Sequence, residues 1–220
     1  MHKDIAISFN DVSKVYRLFA TPLDQVIHIF GLNRFGFGRK DAFQDFPALQ
    51  GINFTIAKGE RLGVVGRNGS GKTTLLKLIT GNFAPTTGRV EVNGTVQALI
   101  NTGLGMHPDF SGMDNIRSAL MYNGLKPDER QAAIDDVVEF CELGEFIYQP
   151  VKTYSLGMQS RLSFATATAI KPDILVIDEI MGAGDAYFSA KSAHRMAKLA
   201  RSGCTLLLVS HSMQQVLQFC

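Results

Sequence analysis

The sequence predicts an α/β fold: a mostly parallel sheet with a helical lobe inserted into it. Three observations carry that expectation. Residues 61–66 (RLGVVG), 174–177 (ILVI) and 205–210 (TLLLVS) are short, nearly continuous apolar runs, the mark of parallel strands covered on both faces. Residues 190–201 read as a helix stopped near Gly203, so strand, helix and strand alternate. From about residue 111 to 170 the pattern turns helical. There Pro127 and Asp128 suit a first turn, and Ile134, Val137, Val138 and Cys141 recur at helical spacing ahead of Gly144.

The elements fit a single domain over residues 1–220. Its expected core is about 1–104 and 171–220, its lobe about 105–170, and 17–46 is an insertion between the first strand and one near 52–56. The insertion carries Phe19, Phe30, Phe35, Phe37, Phe43 and Phe46, with Gly31, Gly36 and Gly38 among them. Two readings stay open for it, a packed surface loop with a short helix or a docking or gating surface for a membrane partner. With 22 Lys+Arg against 20 Asp+Glu the formal charge is +2, which makes no electrostatic case for nucleic acid as the main partner. Cys141, Cys204 and Cys220 show no metal-ligand spacing and read as reduced thiols. The N-terminus lacks the apolar segment of a signal peptide, and no apolar run approaches the roughly 18 residues of a membrane span. A cytoplasmic chain is expected.

The chemistry concentrates in Gly66-Arg67-Asn68-Gly69-Ser70-Gly71-Lys72-Thr73, which matches the G-x-x-x-x-G-K-[ST] phosphate-binding pattern, with an apolar strand before it and an apolar helix (74–80) after it. Glycines let the backbone wrap so that its N–H groups converge on phosphate oxygens, and the following helix points its positive end at the same anion. Lys72 is placed to neutralise the β- and γ-phosphates of ATP, Thr73 to ligate Mg²⁺, and Thr74 to add a donor. Asp178 closes the ILVI strand at the edge of the sheet where ligands bind, in reach of the Mg²⁺. Glu179 can polarise the attacking water as a general base, and His211, ending the TLLLVS strand on the same edge, can hold that water against the γ-phosphate.

The order of phosphate loop, helical lobe, Tyr154-Ser155-Leu156-Gly157-Met158-Gln159, ILVIDE, Gly182-Ala183-Gly184-Asp185-Ala186 and a final Ser-His resembles an ABC-type ATPase from Tyr16 to His211. The resemblance implies a P-loop NTPase core and a head-to-tail homodimer around two MgATP. It implies that Ser155 and the Gly157 amide contact the γ-phosphate held by the partner protomer, that Asp185 couples the two sites, and that Tyr16 stacks on adenine. Asn101 stands where the family has a metal-sensing glutamine. Leu156 replaces a small residue, and a glycine-like backbone there would be strained.

Lys152-Thr153-Tyr154-Ser155-x-Gly157-Met158, the run from Thr102 to Pro108, and Gly112-Met113-Asp114-Asn115-Ile116 are similar to segments of polysaccharide exporter ATPases. That resemblance implies a subunit that powers export of O-antigen, capsule, teichoic acid or another lipid-linked glycan. It would work through a separate multi-spanning permease, peripheral on the cytoplasmic face of the inner membrane. The rival expectation is a soluble ABC ATPase acting on a nucleic-acid or ribosomal partner.

Overall fold

The computed structural model describes residues 4–31, 42–99, 106–178, 186–210, 213, 216, 217 and 220. In chain order the elements are β1 (Ile5–Phe19), α1 (Pro22–Ile29), β2 (Phe43–Ala57), β3 (Arg61–Val65), α2 (Lys72–Ile79), β4 (Thr87–Val92), β5 (Val96–Leu99), α3 (Gly112–Tyr122), α4 (Pro127–Cys141), α5 (Leu156–Ala169), β6 (Ile174–Asp178), α6 (Ala186–Arg201) and β7 (Thr205–Ser210). Two 3-10 turns, Gly144–Tyr148 and Val151–Thr153, lie between α4 and α5. The chain forms two compact units. One comprises Met1–Ile7, Ile56–Asn68 and Val92–Cys220; the other comprises Ser8–Thr55 and Gly69–Glu91.

The first unit holds a four-stranded sheet in the order β3-β7-β6-β5, parallel throughout. β6 and β7 are central, and apart from half-buried Asp178 all their residues are buried. β3 is an edge strand with half-buried positions and an exposed Val65, so its apolar sequence overstates its burial. Leu175, Ile177, Leu206 and Leu208 share a core with Ile116 and Leu120 of α3, Val137 of α4, Leu162 of α5 and Met196 of α6. Phe140, Phe164 and Phe188 join α4, α5 and α6, with ring centroids 5.5 to 6.2 Å apart.

Local chemistry sets the helix starts. The Ser111 hydroxyl accepts from the Asp114 N–H and donates to its carboxylate, capping α3. Pro127 opens α4 with Asp128 and Glu129 in its first turn. α6 begins four residues earlier than the sequence pattern suggests, at Ala186, and α5 begins at Leu156.

The second unit is built on a sheet of order β2-β1-β4, and its helix α2 buries Leu75, Leu76, Leu78 and Ile79. Strands run into the segment expected as an insertion, since β1 reaches Phe19 and β2 starts at Phe43. Thr21 caps α1 by accepting from the Asp24 N–H. Phe19, His28 and Phe43 pack with centroids 5.3 to 5.7 Å apart, and the Arg17 guanidinium lies 4.9 Å above Phe43. The described part of the segment is therefore packed at its base. Leu23, Ile29 and Phe30 nevertheless remain at least 66% exposed. Phe35, Phe37, Gly36 and Gly38 lie outside the described residues.

Candidate functional site

In the first unit the carboxyl ends of three strands assemble one edge. Val65 of β3 pairs with Ser210 of β7, and Asp178 of β6 pairs with Val209. Asp178 thus lies on the same edge as the end of β3, two strands away, or roughly 10 Å at the usual strand spacing. Gly66 follows Val65 directly, so the start of the glycine-rich loop and the acidic strand end share the edge where parallel sheets bind ligands. Glu179 and His211 follow Asp178 and Ser210 in the chain; both lie outside the described residues, as do Asn101 and Asp185.

In the second unit the loop enters α2 through two left-handed glycines, Gly69 (φ 84°) and Gly71 (φ 90°). Gly71 is the N-cap of α2, and its carbonyl accepts from the Leu75 N–H. A Cβ at Gly71 would stand 2.5 Å from the Ala48 carbonyl oxygen and 2.8 Å from Leu49 Cδ2. The loop is therefore seated on β2 in a shape only glycine allows. Lys72, Thr73 and Thr74 form the first turn of α2, where the positive end of the helix dipole favours an anion. Tyr16 reaches this turn, its hydroxyl 3.5 Å from Thr74 Oγ1. Its ring meets the edge of Phe83 at 6.2 Å, and the Lys14 ammonium is 5.5 Å from both rings.

Ser155 and Gly157 sit at the start of α5, in the first unit. Ser155 is its N-cap, and Ser155 Oγ accepts from the Met158 N–H at 3.2 Å. That contact uses an acceptor lone pair and leaves the hydroxyl proton to donate. Leu156 is not strained: the only described non-glycine residues with positive φ are Asp11 and Glu142. It begins the helix normally, with its side chain 75% exposed, so a glycine-like backbone is not required there. Tyr154 is buried and donates to the Phe146 carbonyl at 2.6 Å, fixing the approach to Ser155. Beside the helix start is a cleft of about 350 Å³ lined by Glu142, Leu143, Phe146, Ser155, Gly157, Met158 and Arg161.

Sequence reasoning passed over Glu142 and named Asn115 only as part of the segment from Gly112 to Ile116, without a structural role. Asn115 is buried, accepts from the His107 N–H, and donates to the carbonyls of His107, Phe110 and Ser111. It thereby holds the loop that leads into α3. Glu142 follows α4 with a left-handed backbone (φ 53°) and receives the Lys191 ammonium at 2.5 Å. That hydrogen bond holds its carboxyl below the usual range. Glu142, a single polar residue just past a helix end, carries no sequence signal for its role.

The family model described as ABC transporter matches residues 49–182, more than half of the chain. The chain belongs to the ABC transporter family. Among curated relatives of this ABC transporter chain, the O-antigen export system ATP-binding protein RfbB of Myxococcus xanthus is 51% identical over 79% of the chain and 40% of the relative. The teichoic acids export ATP-binding protein TagH of Enterococcus faecalis is 41% identical over the whole chain and 48% of the relative. The chain thus spans less than half the length of these two proteins. Its fold matches a dimeric ATP-binding cassette in a post-hydrolysis state bound to ADP and Pi, with a TM-score of 0.75 and 21% identity over 97% of this chain and 91% of that one.

Proposed function

We propose that the chain is one ABC ATPase domain that binds and hydrolyses ATP to power export of a polysaccharide or lipid-linked glycan through a separate membrane subunit. The observation that carries the reading is the glycine-seated loop opening α2, in a chain whose relatives are named for O-antigen and teichoic acid export. The backbone N–H groups after Gly69 and the Lys72 ammonium bind the phosphates. Tyr16 offers its ring to the adenine. Thr73 and Asp178 supply the hard oxygen donors that suit Mg²⁺, a cation that takes one or two protein oxygens and completes its shell with phosphate and water. Bound there, Mg²⁺ would neutralise charge on the β- and γ-phosphates. Glu179 takes the proton of the attacking water, and His211 orients that water toward the γ-phosphate.

Two copies close head-to-tail. The Ser155 hydroxyl and the Gly157 amide of each protomer donate to the γ-phosphate held by the other, and Asp185 links the two sites. These contacts exist only before hydrolysis, so turnover drives a two-state motion. Asn101 occupies the metal-sensing position.

Two surfaces suit a membrane subunit. One is a cleft of about 600 Å³ in the first unit, lined by Gln97, Ala98, Met106, Ala119, Met121 and Tyr122 among others. The other is the exposed apolar side of α1 at Leu23, Ile29 and Phe30. No helix among the described residues is long and apolar enough to cross a membrane, and we place the chain at the cytoplasmic face of the inner membrane. Tagged protein purified from native membranes should carry one multi-spanning membrane protein, identified by mass spectrometry. Recovery of ribosomes or nucleic acid with no membrane protein would replace the export reading with that of a soluble ABC ATPase.

A further inference from the structure

Glu142 closes α4 in the left-handed region, where glycine is the common choice and any other residue is strained. The position keeps a glutamate all the same, and its carboxylate joins three helices. Lys191 Nζ of α6 donates to Oε1 at 2.5 Å and also to the Phe140 carbonyl at 3.0 Å. The Tyr187 hydroxyl lies 3.5 Å from the same Oε1. Arg161 Nη1 of α5 lies 4.0 Å from Oε2. The cations are themselves held on rings, Arg161 4.9 Å from the Phe188 centroid and Lys191 4.7 Å from that of Phe140.

These partners occupy significant places in the chain. Arg161 lies one helical turn beyond Gly157 on α5, and Tyr187 is the second residue of α6, which begins immediately after Asp185. Glu142 also lines the cleft that contains Ser155 and Gly157. Partly exposed ion pairs of this kind contribute little to stability. Their geometric effect is of more interest, because one carboxylate meets side chains of both α5 and the start of α6.

We infer that Glu142 is a positioning residue for ATP turnover, aligning the start of α5 with the chain leading out of Asp185. The inference rests on the assignment of Ser155 and Gly157 to the partner's nucleotide. Glu142→Gly tests it, because glycine suits the left-handed backbone and takes away the carboxylate with the rest of the side chain. In the full-length protein this variant should keep the parent's Tm or exceed it, and bind a fluorescent ATP analogue as the parent does. Its kcat for ATP should fall about 10- to 100-fold, the usual cost of a small misplacement of reacting groups. Lys191→Met should reproduce that loss, and the double variant should be no slower than the slower single. A Glu142→Gly protein at the parental kcat, beside an impaired Ser155→Ala control, would overturn the inference. So would losses that multiply in the double variant. A Ser155→Ala protein at the parental kcat would instead remove the assignment of Ser155, and the positioning role with it.

Discussion

Replacing Gly71 with alanine tests whether the phosphate loop is held in a shape that only glycine permits. Two costs can be read from the structure. An L-residue in the left-handed region costs about 1–2 kcal/mol, and Gly71 sits at φ 90°. The new Cβ would also stand 2.5 Å from the Ala48 carbonyl oxygen and 2.8 Å from Leu49 Cδ2. The leucine methyl can shift aside but the backbone carbonyl cannot, so overpacking adds about 1–3 kcal/mol. The sum is about 2–5 kcal/mol. Residues 67–70 are exposed, whereas α2 is anchored by four buried side chains, so the loop yields before the helix does. The cost then falls on nucleotide binding and weakens it at least about 30-fold, at 1.4 kcal/mol per factor of ten. Fluorescent-ATP titration measures the affinity and circular dichroism confirms the fold. Gly81→Ala is the control, because Gly81 has a similar φ of 72° with nothing within 4 Å of its would-be Cβ. It should lose about 1–2 kcal/mol of stability and no affinity. A Gly71→Ala protein that binds ATP like the parent would refute the seating of the loop.

Leu162 is fully buried where α5 packs against the core, and Leu162→Ala should destabilise by about 2–5 kcal/mol in denaturant unfolding. Ser192 Oγ is buried with no hydrogen-bond partner among the described residues, so Ser192→Ala should raise stability by about 1 kcal/mol in the same assay. The Asp173 carboxylate accepts from the Thr95 N–H at 2.7 Å and the Thr95 hydroxyl at 2.8 Å, which holds it below its ordinary range. Its contribution is complete above about pH 4, where the unfolded carboxyl is ionised, and disappears as pH falls through the lower folded value. Asp173→Asn should therefore unfold with a shallower loss of stability between neutral and acid pH.

The phosphate loop was legible in the sequence because its chemistry lies in eight consecutive residues whose side chains and glycine backbones each have a local task. β6 and β7 were legible because a strand buried on both faces must be apolar throughout. The three-stranded sheet was obscured because β2 carries Pro47 and many exposed positions, which interrupts the alternation that marks a strand. Leu156 appeared to demand strain only when measured against a glycine-containing motif; as the first residue of a helix capped by Ser155 it needs none. The network around Glu142 had no local signature, because its partners lie on other helices, Lys191 being 49 residues away.

The most direct test of the account is made on Glu179→Gln, with ATP hydrolysis and oligomeric state measured on the same protein. Loss of the general base should abolish turnover while leaving phosphate binding intact, so with MgATP the variant should accumulate as a dimer holding two ATP molecules and dissociate when ATP is withdrawn. Fast hydrolysis by the variant, or a monomer saturated with ATP, would contradict a cycle in which the γ-phosphate itself joins the two protomers.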